Sequence, residues 1–140
     1  MADSSDIDAA LVAKLAGDAT LAGLLQTAPA VFVDIAPPGM TKFVIVSLIE
    51  EHDEQQFGGR AFEDALYLVE ARMLSTAGGN IKAAAARIDA LLDGGTLTVS
   101  GYSLMVMHRE ERIRGTEQDD ADPAILWNRR GGNYRVTVST

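Results

Sequence analysis

The chain has 140 residues, 47% hydrophobic and 23% charged, which is the composition of one globular domain able to bury a core without cross-links. Its lack of cysteine excludes disulfides, thiolate metal sites and a cysteine nucleophile, and fits a reducing compartment. A net charge of −8 and a pI of about 4.6 disfavour wrapping of a nucleic acid backbone.

Met1-Ala2-Asp3-Ser4-Ser5-Asp6 is acidic and polar, without the cationic start and apolar centre of a signal peptide. No window approaches the ~20 apolar residues of a membrane span, so a soluble, non-exported protein is expected. Ser5 or Asp6 is predicted to cap a helix carrying Ile7, Leu11 and Leu15 one turn apart. Gly17-Asp18 interrupts it, and Asp18 is a second N-cap before Leu21, Leu24 and Leu25. Pro29 closes the helical region.

Val31-Phe32-Val33-Asp34-Ile35 reads as a short strand ended by the turn Pro37-Pro38-Gly39. A second strand, Phe43–Glu51, starts with an apolar run that does not alternate, which predicts cover on both faces. It leads to an acidic, Gly-containing tip and returns through Ala61–Leu74. There Ala65, Tyr67, Val69, Ala71 and Met73 share one face, and Asp64, Glu70 and Arg72 share the other with Leu66 and Leu68. The pair is a hairpin too long for a small monomer to cover.

After the loop Ser75–Asn80, Ile81, Ala84, Ala85, Ile88, Leu91 and Leu92 form one stripe of a helix, stopped by Asp93-Gly94-Gly95 with a left-handed glycine cap. Tyr102–Arg112 and Tyr134–Val138 alternate as strands, with a polar acidic loop, Gly115–Pro123, between them. Gly58-Gly59 and Gly131-Gly132 read as loops ahead of strands. The succession predicts a single α+β domain over 1–140: a mainly antiparallel β-sheet with helices packed on one face and a long extended hairpin.

No arrangement of catalytic residues emerges. His52 stands among Glu50, Glu51, Asp53 and Glu54, but successive strand residues face opposite ways, so a charged solvated tip is expected rather than a metal site. His108, beside Arg109, Glu110, Glu111 and Arg112, has no nominated nucleophile or orienting carboxylate. Gly78-Gly79-Asn80 precedes a helix without the Lys-Ser or Lys-Thr of a phosphate loop, and reads as a turn. Trp127-Asn128-Arg129-Arg130 reads as an interface anchor, since Trp and Arg dominate binding hot spots. Arg109, Arg112, Arg114, Arg129 and Arg130 gather near the last hairpin, while acids gather at Glu50–Glu54 and Asp119–Asp122. Such segregation suits head-to-tail contact between identical subunits, with pairing inside one chain as the alternative.

The whole order of elements resembles the phage tail terminator family, the tail completion or tail-to-head joining proteins of long-tailed phages. The features that match are the helical segment Ile7–Leu25 ending near Val31-Phe32, the Pro37-Pro38-Gly39 turn, the strand Phe43–Glu51 with its polar tip, the strand Ala65–Leu74, the Ala-rich helix Ile81–Leu92, and the Leu97-to-Val106 and Tyr134–Val138 strands. They span nearly the full chain and rest on pattern and order. The resemblance implies a non-enzymatic ring, typically a hexamer, that caps the head-proximal end of the tail tube, ends its elongation and joins tail to head in the virion. Its implied partners are copies of itself, the tail tube protein and a head-completion or stopper protein, with DNA only in transient passage, and with no cofactor, metal or membrane.

By position, the segments that reach a neighbour, the tube or the lumen are Glu50, Glu51, His52, Asp53, Glu54, Gln55, Gln56, Phe57 and Arg60 in the tip, and Asp119 and Asp120 in the acidic loop. Arg109, Arg112, Arg114, Trp127, Arg129 and Arg130 join them. An acidic lumen repels DNA and lets it slide, which requires Glu51, Asp53 and Glu54 to face it. The rival readings are another neck component, such as a head-completion or stopper protein, and a small non-viral binding module that stays monomeric or dimeric.

Overall fold

A computed structural model describes residues 4–25, 30–56 and 59–139. Its elements run α1 (Ser4–Ala16), α2 (Ala19–Leu24), β1 (Val31–Val33), β2 (Lys42–Gln56), β3 (Gly59–Leu74), α3 (Ile81–Leu92), β4 (Ser103–Gln118) and β5 (Leu126–Ser139). The strands form one sheet in the order β1-β2-β3-β5-β4, antiparallel throughout except for the short β1–β2 pairing. The C-terminal strand therefore lies inside the sheet, between β3 and β4. This is the expected α+β architecture.

The helices cover one face. Ile7, Leu11 and Leu15 of α1, Leu21 of α2, and Ala84, Ile88 and Leu92 of α3 are buried, as their helical spacing predicts. They meet Val44 and Val46 of β2, the expected Ala65-Tyr67-Val69-Ala71-Met73 stripe of β3, and Tyr134, Val136 and Val138 of β5, all buried. Helix α1 is already under way at Ser4, so Ser5 and Asp6 fall inside it rather than at its cap. Pro29 lies outside the described residues.

The other face is covered at one end only. Phe43 and Ile45 are buried there, and Phe43 stacks edge-on against Phe32 and Trp127, at 6.4 and 5.6 Å between ring centres. The segment 34–40 and residues 117–120 border a cleft over these rings. Cover on both faces at the start of β2 thus follows the non-alternating sequence. β1 is shorter than its apolar run suggests, ending at Val33, and Ile35 is 81% exposed.

Three expectations need correction. The acidic tip is strand almost throughout: β2 continues to Gln56, paired with β3 down to Gly59. Trp127-Asn128-Arg129-Arg130 and Gly131-Gly132 lie within β5, which begins eight residues earlier than its apolar alternation indicates. Leu97 and Val99 are buried in an irregular segment, and β4 begins at Ser103 with register shifts between Leu104 and Val106 and between Arg109 and Glu111. The first shift breaks the alternation, so Met107 is buried while Val106 is 46% exposed. Bulges of this kind re-aim side chains without ending a ladder.

Asp18 couples the helical layer together. Its Oδ2 accepts the Leu21 N–H at 2.8 Å as the α2 N-cap, and the two carboxylate oxygens take the Arg87 fork from α3 at 2.9 and 2.7 Å. The Arg87 hydrogen bond, with help from the Leu21 N–H, holds the Asp18 carboxyl down at about 2, against an ordinary 3.8. Because the folded-state value is depressed, this stability is complete above about pH 4 and is lost as pH falls through about 2. Asp18→Ala is expected to cost about 2 kcal/mol at neutral pH. Thermal unfolding between about pH 6 and pH 2 should show the wild type converging on the variant in acid. A constant gap over that range contradicts the assignment.

Candidate functional site

Two charged regions lie apart on the sheet, an acidic one at the end of the β2–β3 hairpin and a basic one along the β4–β5 pairing, and local sequence dictates their placement only in part. At one end the β2–β3 hairpin carries the acidic run. Glu50 pairs across the ladder with Leu66, Glu51 with Ala65, His52 with Asp64, Asp53 with Glu63, Glu54 with Phe62, Gln55 with Arg60 and Gln56 with Gly59. Phe57 lies outside the described residues. His52 Nε2 stands 3.8 Å from Glu50 Oε2, between two exposed side chains. Among the described residues no three His, Asp or Glu side chains converge as metal ligands.

Arg135 gathers two of these acids, with Glu110 as a third. From β5 it donates to Glu110 of β4 through Nε (2.5 Å), to Asp64 of β3 (3.1 Å) and to Glu50 of β2 (3.0 Å), so one guanidinium ties all four long strands. Its hydrogen bonds to Glu110 and Glu50 raise its affinity for the proton further, and they hold the Glu110 carboxyl below its usual range. The sequence reading does not single out Arg135. Its alternation with Tyr134 and Val136 is the available signal, since it places a cation on the face that Asp64 shares.

On that same face, nearer the β4–β5 turn, Glu70 is 3% exposed and faces Arg129 at 3.8 Å. Burial raises its pKa, while Arg129 and Arg72 oppose the rise. Glu117 bridges Arg72 at 2.5 Å and Arg129 at 3.6 Å. Trp127, read as an interface anchor, packs on Phe43 and donates its indole N–H to Asp119 at 3.0 Å, so within one chain it fastens the acidic loop to the sheet. That bond lowers the Asp119 pKa. Asp119 also accepts the N–H groups of Ala121 and Asp122, and Asp120 stands exposed beside it.

The opposite, helix-bearing face holds a groove of about 420 Å³ between α3 and the β4–β5 hairpin. Ala85 and Ala86 form its helical wall, and Lys82, Arg109, Arg112, Arg114 and Arg130 line it. Thus four of the five clustered arginines do meet, and Arg129 points away to Glu70 and Glu117. Arg109 is tied to Asp89 at 2.7 Å, and Asp89 also accepts the Tyr134 hydroxyl at 3.0 Å. Lys82, Arg112, Arg114 and Arg130 have no carboxylate partner among the described residues.

Two strand edges are also open among the described residues. β1 covers β2 only from Val44 to Val46, and β4 is the last strand on its side. Leu48 and Ile49, at a register shift just past β1, are 39% and 50% exposed. Unpaired edges with exposed apolar side chains are where further chains add to a sheet.

No protein-family model and no curated protein matches this sequence. Among solved structures, the chain is similar to one from the virion of a native gene transfer agent particle, with 24% identity and a TM-score of 0.66 over 98% of this chain and 97% of that one. A second solved structure, which bears no functional name, is 16% identical with a TM-score of 0.57, over 97% and 96% of the two chains. These likenesses establish a shared fold across the full length of each chain.

Proposed function

We propose that the chain is a non-enzymatic structural subunit of a phage-like virion. It forms a ring, of six copies as in the family it resembles, that caps the head-proximal end of the tail tube. There it stops tube elongation and receives the head. The observation that carries this reading is the end-to-end likeness to a chain of a gene transfer agent virion. The long β2–β3 hairpin and the open outer edges of β2 and β4 support it, because each leaves surface for neighbours.

The partners are then copies of the chain, the tube protein below and a head-completion or stopper protein above, with assembly in the host cytoplasm and final residence at the tail–head junction. DNA passes the ring without being held, in keeping with a net charge of −8. Particles made without this chain test the role by electron microscopy. Overlong or unsealed tails are expected. Free tails of normal length beside leaking heads would instead assign the chain to the head-completion or stopper position.

A further inference from the structure

The groove between α3 and the β4–β5 hairpin is a concentration of uncompensated cations in a chain whose net charge is −8. Arg114 and Arg130 sit directly opposite each other in the ladder. Like charges so placed destabilise a strand pair unless an anion lies between them. Asp89, the acid in the groove lining, is already committed to Arg109 and Tyr134. The groove is therefore shaped for a negative partner that this chain does not supply to itself.

The same chain carries an excess of negative charge elsewhere. Residues 50–64 contain six carboxylates and one arginine. Glu50 and Asp64 share Arg135 with Glu110, three acids on one cation. Asp64, at this acidic end, lies too far along the sheet to pair with Arg130 of the groove. Asp64 is in register with Thr137, whereas Arg130 is in register with Ala71. The separation along β5 is seven residues, about 23 Å, well beyond a Debye length of about 8 Å. Two complementary patches set apart on one chain make a heterologous contact, which closes into a ring when the rotation between neighbours allows.

We infer that the cationic groove of one copy receives the acidic end of the β2–β3 hairpin of a second copy, head to tail. The inference rests on the ring reading above and names its contact. It assigns the acidic end to a subunit interface and not to the lumen. A nucleic acid partner is disfavoured because the rest of the chain repels phosphate at long range.

Charge reversal tests it. Arg112→Glu with Arg130→Glu makes the groove acidic, and Asp53→Lys with Glu54→Lys makes the hairpin end basic. Each double variant alone is expected to self-associate roughly 100-fold more weakly than the wild type, read by sedimentation and native mass spectrometry. An equimolar mixture should recover assemblies with an even number of copies, because only unlike neighbours then fit. Arg112 and Arg130 make no ion pair among the described residues, so their reversal removes no such internal bond. The milder Arg112→Gln with Arg130→Gln, expected roughly 10-fold weaker, guards against misfolding of the first variant.

Wild-type association of the groove variants, or a mixture that fails to reassemble, overturns the contact and leaves the ring reading standing. A wild type that stays monomeric at every concentration overturns both. Lost binding of a short DNA duplex by the groove variants, with assembly unchanged, overturns the contact in favour of a nucleic acid site.

Discussion

Gly131→Ala is expected to destabilise this chain severely. In β5, Gly131 is in register with Glu70 of β3 on one side and Ile113 of β4 on the other. A Cβ there would stand 2.6 Å from the Glu70 Cα and 2.9 Å from its Cβ, and closer still to the Val69 carbonyl oxygen. Two of these three are backbone atoms held by the ladder, so relief requires the sheet to open. A cost of about 4 kcal/mol follows for such overpacking, and a fall in Tm of roughly 10 °C or more for a domain of this size. Gly23 in α2 is the internal comparison: a methyl group added there would meet nothing within 4 Å, so Gly23→Ala should be neutral or slightly stabilising. Equal Tm values for the two variants would contradict the close approach of β3 and β5.

Arg135→Ala is the second large effect. Removing the guanidinium leaves Glu50, Asp64 and Glu110 facing one another across β2, β3 and β4. Breaking a buried pair typically costs about 3–5 kcal/mol, but Glu50 and Glu110 retain 44% and 36% of their side-chain exposure and water screens them. About 2–3 kcal/mol is therefore expected at neutral pH. The loss should shrink in acid, where protonation of Glu110, whose carboxyl the Arg135 hydrogen bond holds below its usual range, removes that stabilisation from the wild type. Urea unfolding at neutral and acid pH measures both. A pH-independent loss would mean that packing of the arginine stem, not the cluster, carries the effect.

The sequence is most legible where burial is one-sided. The Ile7-Leu11-Leu15 spacing, the α3 stripe and the alternate residues from Ala65 to Met73 each announce a face, and each face is buried. The start of β5 is hidden because Trp127–Gly132 interleaves an aromatic ring with polar residues and two glycines, a composition that locally reads as a turn. Only the neighbouring β3 and β4 backbones explain it: Gly131 and Gly132 permit an approach that a side chain would block.

The clustering of the arginines is visible in the sequence, but their division is not. Alternation along β5, a strand that local composition does not announce here, sends Arg130 to the helix-bearing face and Arg129 to the other, while Lys82 arrives from a helix far away in sequence. Arg135 presents the same obstacle. Its partners lie 25, 71 and 85 residues away, and no local pattern marks three acids that meet only after the sheet forms.

The reading of the chain as a ring at the end of the tail tube is tested most directly by a reconstruction of the particle that contains it. The expected result is one closed ring of this chain between the last layer of the tube and the head, with identical contacts between successive copies. Isolated single copies, or a position away from the tail–head junction, would contradict the account.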